Sequence, residues 1–101
     1  MKAAGDAGGT PLAPAAEFCA LPHEVRFRVT APSPPALGDT VRLARGTPPT
    51  LLNGSGVIGV LQDRAADAMN GCLALDWEMA GTIISVDEDS VQGVARIAGV
   101  R

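Results

Sequence analysis

Glu24-Val25-Arg26-Phe27-Arg28-Val29-Thr30 is the stretch from which the fold of this chain is read, because its apolar and polar residues alternate without a break. Successive side chains of an extended chain point to opposite faces, so Val25, Phe27 and Val29 share one face and Arg26, Arg28 and Thr30 the other. A strand with one buried face follows. Pro32-Ser33-Pro34-Pro35 ends it, since proline has no amide hydrogen for a sheet ladder and fixes its own backbone angle. Thr40-Val41-Arg42-Leu43-Ala44-Arg45 alternates again after a loop closing on Gly38-Asp39, and Gly46-Thr47-Pro48-Pro49 stops it. The intervening loop suits a long hairpin or a connection that crosses a sheet.

Further along, Gly56 to Gln62 is apolar at most positions and is expected as a short strand buried on both faces. Asp63 is placed to cap a helix over Arg64-Ala65-Ala66-Asp67-Ala68-Met69, with Asn70-Gly71 as its stop. Leu73 to Met79 fits neither period. Thr82-Ile83-Ile84-Ser85-Val86 and Val91 to Ile97 flank Asp87-Glu88-Asp89-Ser90, the pattern of a hairpin with a polar turn. The fold class expected from these segments is mostly β, a small β-barrel or sandwich of five to six short strands with one short helix.

The chain has 101 residues, enough for one domain with a real core. Hydrophobic residues make up 47% of it, yet only Phe18, Phe27 and Trp77 are aromatic, so aliphatic side chains must carry the burial. Residues 1–20 hold seven alanines, three glycines and two prolines without a period, and are expected to form a loosely ordered N-terminal arm. Residues 21–101 form the single β-rich domain.

The formal charge of −3 argues against general nucleic-acid binding, which depends on lysine and arginine neutralising phosphates. No apolar run approaches the roughly 20 residues of a membrane helix, and the first residues lack the apolar stretch of a signal peptide. A cytoplasmic location follows by default, with Cys19 and Cys72 as reduced thiols; an exported chain would allow one disulfide between them.

Several short motifs are tested against the chemistry they suggest. Gly54-Ser55-Gly56-Val57-Ile58-Gly59 matches the glycine spacing of a dinucleotide-binding turn, and Asp76 lies about 20 residues beyond it. Pro48-Pro49 leaves only Thr50-Leu51-Leu52-Asn53 before that turn, so a turn at Asn53-Gly54 followed by a strand, with Gly59 at a bulge or close approach, is the simpler account. Cys19, His23 and Cys72 fall short of the four ligands of a structural zinc site. Asp87-Glu88-Asp89 lacks the glycine and glutamate that a calcium loop needs at its sixth and twelfth positions. No metal, cofactor or catalytic residue is therefore assigned.

Charge is the most informative polar feature. Residues 24–46 carry four arginines against two acids, whereas residues 62–90 carry seven acids against Arg64. If the first two strands pair, Arg26, Arg28 and Arg42 share an exposed face suited to an anionic protein or small-molecule partner. Open strand edges in so small a sheet, and few large core fillers, lead to the expectation of a homodimer or higher homo-oligomer with Trp77 at the interface.

Three stretches resemble known families. Gly38-Asp39-Thr40-Val41 with Val57-Ile58-Gly59-Val60-Leu61 resembles small head-decoration proteins of tailed phages. Cys72-Leu73-Ala74-Leu75 followed by Gly81-Thr82-Ile83-Ile84-Ser85-Val86-Asp87 and Gly99-Val100-Arg101 is similar to the opening of small hydrogenase-maturation chaperones, although the cysteine is internal here. Gly38-Asp39-Thr40-Val41-Arg42 with Ser90-Val91-Gln92 resembles plasmid-borne dihydrofolate reductases, without their tyrosine. The three point in different directions, and none spans the chain. The expectation taken forward is a non-enzymatic binding or assembly module that self-associates. The alternative is a small-ligand-binding protein or enzyme whose site forms at an oligomer interface.

Overall fold

The computed structural model describes residues 16–62 and 64–100. Six strands close into an antiparallel barrel: β1 (His23–Val29), β2 (Thr40–Ala44), β3 (Thr50–Asn53), β4 (Gly56–Leu61), β5 (Glu78–Val86) and β6 (Gln92–Val100). Around the barrel the order is β1-β4-β3-β2-β5-β6, with β6 pairing back onto β1. A mostly β chain is what the alternation called for, and of the barrel and the sandwich it left open, the barrel forms. Two helices are added, α1 (Ala16–Ala20) before β1 and α2 (Ala65–Ala74) between β4 and β5.

Val25, Phe27, Val41, Leu43, Leu51, Ile58, Leu61, Met79, Ile83, Ala95 and Ile97 form one interior cluster, by strict alternation on β1 and β2 but not on β4. Among the described residues no polar or charged side chain is buried with them. Phe27 is the largest fully buried side chain, and it approaches Gly59 so closely that a Cβ there would stand 3.1 Å from its ring and 2.6 Å from the Arg28 carbonyl oxygen. Close approach, joined to a register shift at Leu51/Leu52 opposite, accounts for that glycine.

Four local expectations change. β1 and β2 do not pair, because three strand positions separate them in either direction around the ring; residues 30–39 cross the end of the barrel and are tied to β5 by Gly38 N–H to the Ile83 carbonyl at 2.8 Å. Thr50–Asn53, too short to stand out in sequence, is a strand because β2 and β4 flank it on both sides. Helix α2 runs through Asn70-Gly71 to Ala74 and stops at Asp76, whose φ of 67° takes the left-handed place assigned to glycine. Asp63, the expected cap, lies outside the described residues.

Asn70 stays helical because its side chain is engaged elsewhere. Its Oδ1 accepts from Gly46 N–H at 3.4 Å and its Nδ2 donates to the Gly46 carbonyl at 2.6 Å, clamping the β2–β3 connection to α2. Asn70→Ala removes both bonds and is expected to cost about 2 kcal/mol, from roughly 1 kcal/mol per intramolecular hydrogen bond. Urea denaturation of the variant measures it; a loss below about 0.5 kcal/mol would mean that water replaces the clamp without penalty.

The fourth change concerns the arm. Residues 1–15 lie outside the described residues, but Ala16–Ala20 is a docked helix rather than loose chain. Its Cys19 is fully buried and bonded to Cys72 of α2 in a disulfide spanning 53 residues of sequence. The two cysteines are thus not free thiols; tertiary folding brings their Cα atoms to 5.7 Å, within bridging range. Phe18 packs against the core and stacks on the His23 ring, the centroids 4.2 Å apart.

Candidate functional site

The topology makes the two ends of the barrel unlike. One end holds α1, α2 and the β2–β3 connection, sealed by Cys19, Met69, Cys72 and Trp77. The opposite end carries three connections: the proline-rich residues 30–39, the Gly54-Ser55 turn and the acidic residues 87–91. Loops fixed on a rigid scaffold are where binding residues usually stand, and these three are tied to the barrel.

Backbone bonds fix them. Val29 N–H donates to the Val91 carbonyl at 2.7 Å, Thr30 N–H to the Ile58 carbonyl at 2.9 Å, and Ile83 N–H to the Asp39 carbonyl at 3.1 Å. Short polar side chains shape the turns: Asp39 Oδ2 accepts from Ala36 N–H, Asn53 Oδ1 from Ser55 N–H, and Asp89 Oδ1 from Val91 N–H. The last two are Asx turns, in which a side-chain oxygen takes the N–H two residues on, and such turns hold a loop without a core of its own. The Asn53-Gly54 turn and the hairpin turn over Asp87-Glu88-Asp89 stand where the spacing placed them.

Apolar side chains stand exposed around this end. Leu37 is 66% exposed, Val57 50%, Val91 47% and Ile84, the extra residue where the β5 register shifts, 37%. Between the proline-rich loop and the β3–β4 hairpin lies a cavity of about 460 Å³, walled by Pro32, Pro34, Pro35, Val57 and Ile58 with Asn53.

Arg26, Arg28 and Arg42 are all exposed, but they do not form one face. Arg26 and Arg28 lie on β1, and Arg42 lies across the barrel on β2, opposite Ala80 of β5 and Leu52 of β3. The assumption that the first two strands pair fails, and the three-arginine face fails with it. Arg26 and Arg28 remain together, facing Val94 and Gln92 of β6.

Trp77, the expected interface residue, is 9% exposed and belongs to the core cluster. Its ring and the Met79 sulfur crowd Gly99, where a Cβ would come within 2.9 Å of both. Most of its surface is already covered within one chain. Closure also removes the open edges on which the oligomer was first argued, and Phe18 supplies a third large filler.

The chemistry weighed for Cys19 and His23 changes as well. Both cysteines are committed to the disulfide, and His23 Nε2–H donates to the Phe18 carbonyl at 2.6 Å. Among the described residues no three histidine, cysteine, aspartate or glutamate side chains converge on a metal-sized site. Nor, among those residues, is any helix long and apolar enough to cross a membrane.

A closed six-stranded antiparallel barrel, plugged by helices at one end and open to loops at the other, is thus the class of structure defined. No family model, curated protein or solved structure matches the chain.

Proposed function

We propose that the chain is a non-enzymatic binding or assembly module that self-associates through the loop end of its barrel. The carrying observation is the grouping of Leu37, Val57, Ile84 and Val91, each at least 37% exposed, around that end, against two exposed large hydrophobic side chains, Leu21 and Val100, among the described residues at the plugged end. Exposed apolar side chains grouped in this way mark interaction surfaces more often than those scattered singly.

Sedimentation equilibrium at tens of micromolar is expected to give a multiple of the 10.3 kDa chain mass. Leu37→Asp combined with Val57→Asp is expected to weaken association by about tenfold or more, since a central apolar contact contributes above roughly 1.4 kcal/mol. The melting temperature of the variant should stay near that of the parent, because both side chains lie outside the core. A parent chain sedimenting at 10.3 kDa would overturn the proposal.

The cavity of about 460 Å³ beside the proline-rich loop supports the second hypothesis, a small-ligand-binding protein or enzyme whose site a second copy completes. A thermal-shift screen separates the two, since a ligand binding only the native state raises its melting temperature.

The cytoplasmic location was a default expectation, with Cys19 and Cys72 read as reduced thiols. With Cys19 joined to Cys72, an oxidising compartment suits the chain better, because cytosolic thiols are held reduced. Anionic partners, first assigned to three arginines, are now assigned to the Arg26 and Arg28 flank.

A further inference from the structure

We infer that the partner of the Arg26 and Arg28 flank is the acidic β5–β6 turn of a second copy, docked reciprocally about a two-fold axis. The inference rests on the self-association proposed above and adds charged contacts to it, where the β1–β6 flank meets the loop end.

The observation is an adjacency. Asp87, Glu88 and Asp89 are all exposed at the tip between β5 and β6. Immediately after the turn, Gln92 pairs with Arg28 of β1, and two residues further Val94 pairs with Arg26. One flank of the barrel therefore presents an acidic projection beside two cations. Among the described residues the one ion pair is Glu24 with Arg96, so neither Arg26 nor Arg28 is matched by a carboxylate there.

Such a surface complements itself. A copy turned by half a rotation about an axis through this flank sets each acidic turn over the other copy's arginines, making two identical contacts at once. Val91 is 47% exposed between the turn and the end of β1, where its carbonyl accepts from Val29 N–H, and it supplies an apolar centre between the two charged contacts.

The turn is also shaped in advance. Asp87 N–H donates to the Gln92 carbonyl and Ser90 N–H to the Asp87 carbonyl, each at 2.8 Å, and Ser90 holds a φ of 60°. Association then orders little new backbone, which lowers the entropy cost of docking.

Charge exchange tests this directly. One variant carries Arg26→Glu and Arg28→Glu, and a second carries Asp87→Lys and Glu88→Lys; Asp89 is kept because its carboxylate accepts from Val91 N–H. All four replaced side chains are exposed, and circular dichroism checks that both variants fold. Each variant alone is expected to dissociate at least about tenfold more readily than the parent, because like charges then face each other in both contacts. Mixed in equal amounts, the two should form a heterodimer of parental affinity, since both contacts again pair opposite charges. Parental association should also weaken as salt rises.

A parent chain that is monomeric at tens of micromolar overturns self-association and this surface together. An oligomeric parent whose variants associate normally overturns this surface alone. Two weakened variants that fail to rescue each other on mixing overturn the pairing of acidic turn with arginines.

Discussion

Reduction of the Cys19–Cys72 disulfide is expected to destabilise the chain by about 4 kcal/mol, the loop-closure entropy returned to the unfolded chain when a 53-residue crosslink is cut. The folded barrel should survive at room temperature, because the bridge ties α1 to α2 and no strand depends on it. Its melting temperature should fall by about 15 °C or more, as roughly 4–8 °C accompanies each kcal/mol in a domain of this size. A helix of five residues has little stability of its own. Reduced protein should therefore lose protection first at α1, visible as early cleavage before His23 under limited proteolysis. Urea unfolding with and without dithiothreitol makes the measurement, and Cys19→Ala with Cys72→Ala should reproduce the reduced state. A loss below about 1 kcal/mol would mean that α1 is held by packing alone.

Gly81→Ala is expected to be the most damaging conservative change in the barrel. Gly81 sits where β5 pairs with both β2 and β6, and a Cβ there would stand 1.7 Å from the Arg96 carbonyl oxygen and 3.0 Å from the Ile97 Cα. Both obstacles are backbone, so no rotamer change relieves them and the two strands must part. The expected loss exceeds about 4 kcal/mol, the range reached only when a packed backbone is forced apart or a core is emptied. With native stabilities of about 5–15 kcal/mol, much of the variant should be unfolded or insoluble. Gly54→Ala is the control: nothing lies within 4 Å of its Cβ, and the change should stay within about 0.5 kcal/mol. Comparable soluble yields and denaturation midpoints for the two variants would show that β5 and β6 separate without cost.

The strands were legible wherever sequence spacing alone determines the structure. Val25, Phe27 and Val29 alternate with Arg26, Arg28 and Thr30 because a side-chain period of two is a property of any extended chain. The turns at Asn53-Gly54 and over residues 87–90 follow from side chains that bond their own backbone two residues on. These local features were sufficient for a mostly β class and for placing most of the core.

Hidden from the sequence was every pairing between strands that no tight turn joins. Arg42 has the same exposed, alternating context as Arg26, and nothing local distinguishes its flank from theirs; ring closure puts it across the barrel. Asn70-Gly71 carries a helix stop by local chemistry, yet Gly46, 24 residues earlier, takes up the asparagine side chain and the helix continues. The candidate site was legible only in part for the same reason: its acidic turn and its two arginines are separate runs of sequence, joined when β6 pairs with β1.

By itself the sequence determined the extended segments, their inward faces, the turns and the proline breaks, since these arise from interactions between near neighbours along the chain. Only the tertiary structure decided the closure of the barrel, the burial of Trp77, the union of Cys19 with Cys72 and the division of the arginines between two flanks. Each of those depends on contacts between residues far apart in sequence, whose partners are selected by the simultaneous burial of all six inner strand faces rather than by any local pattern.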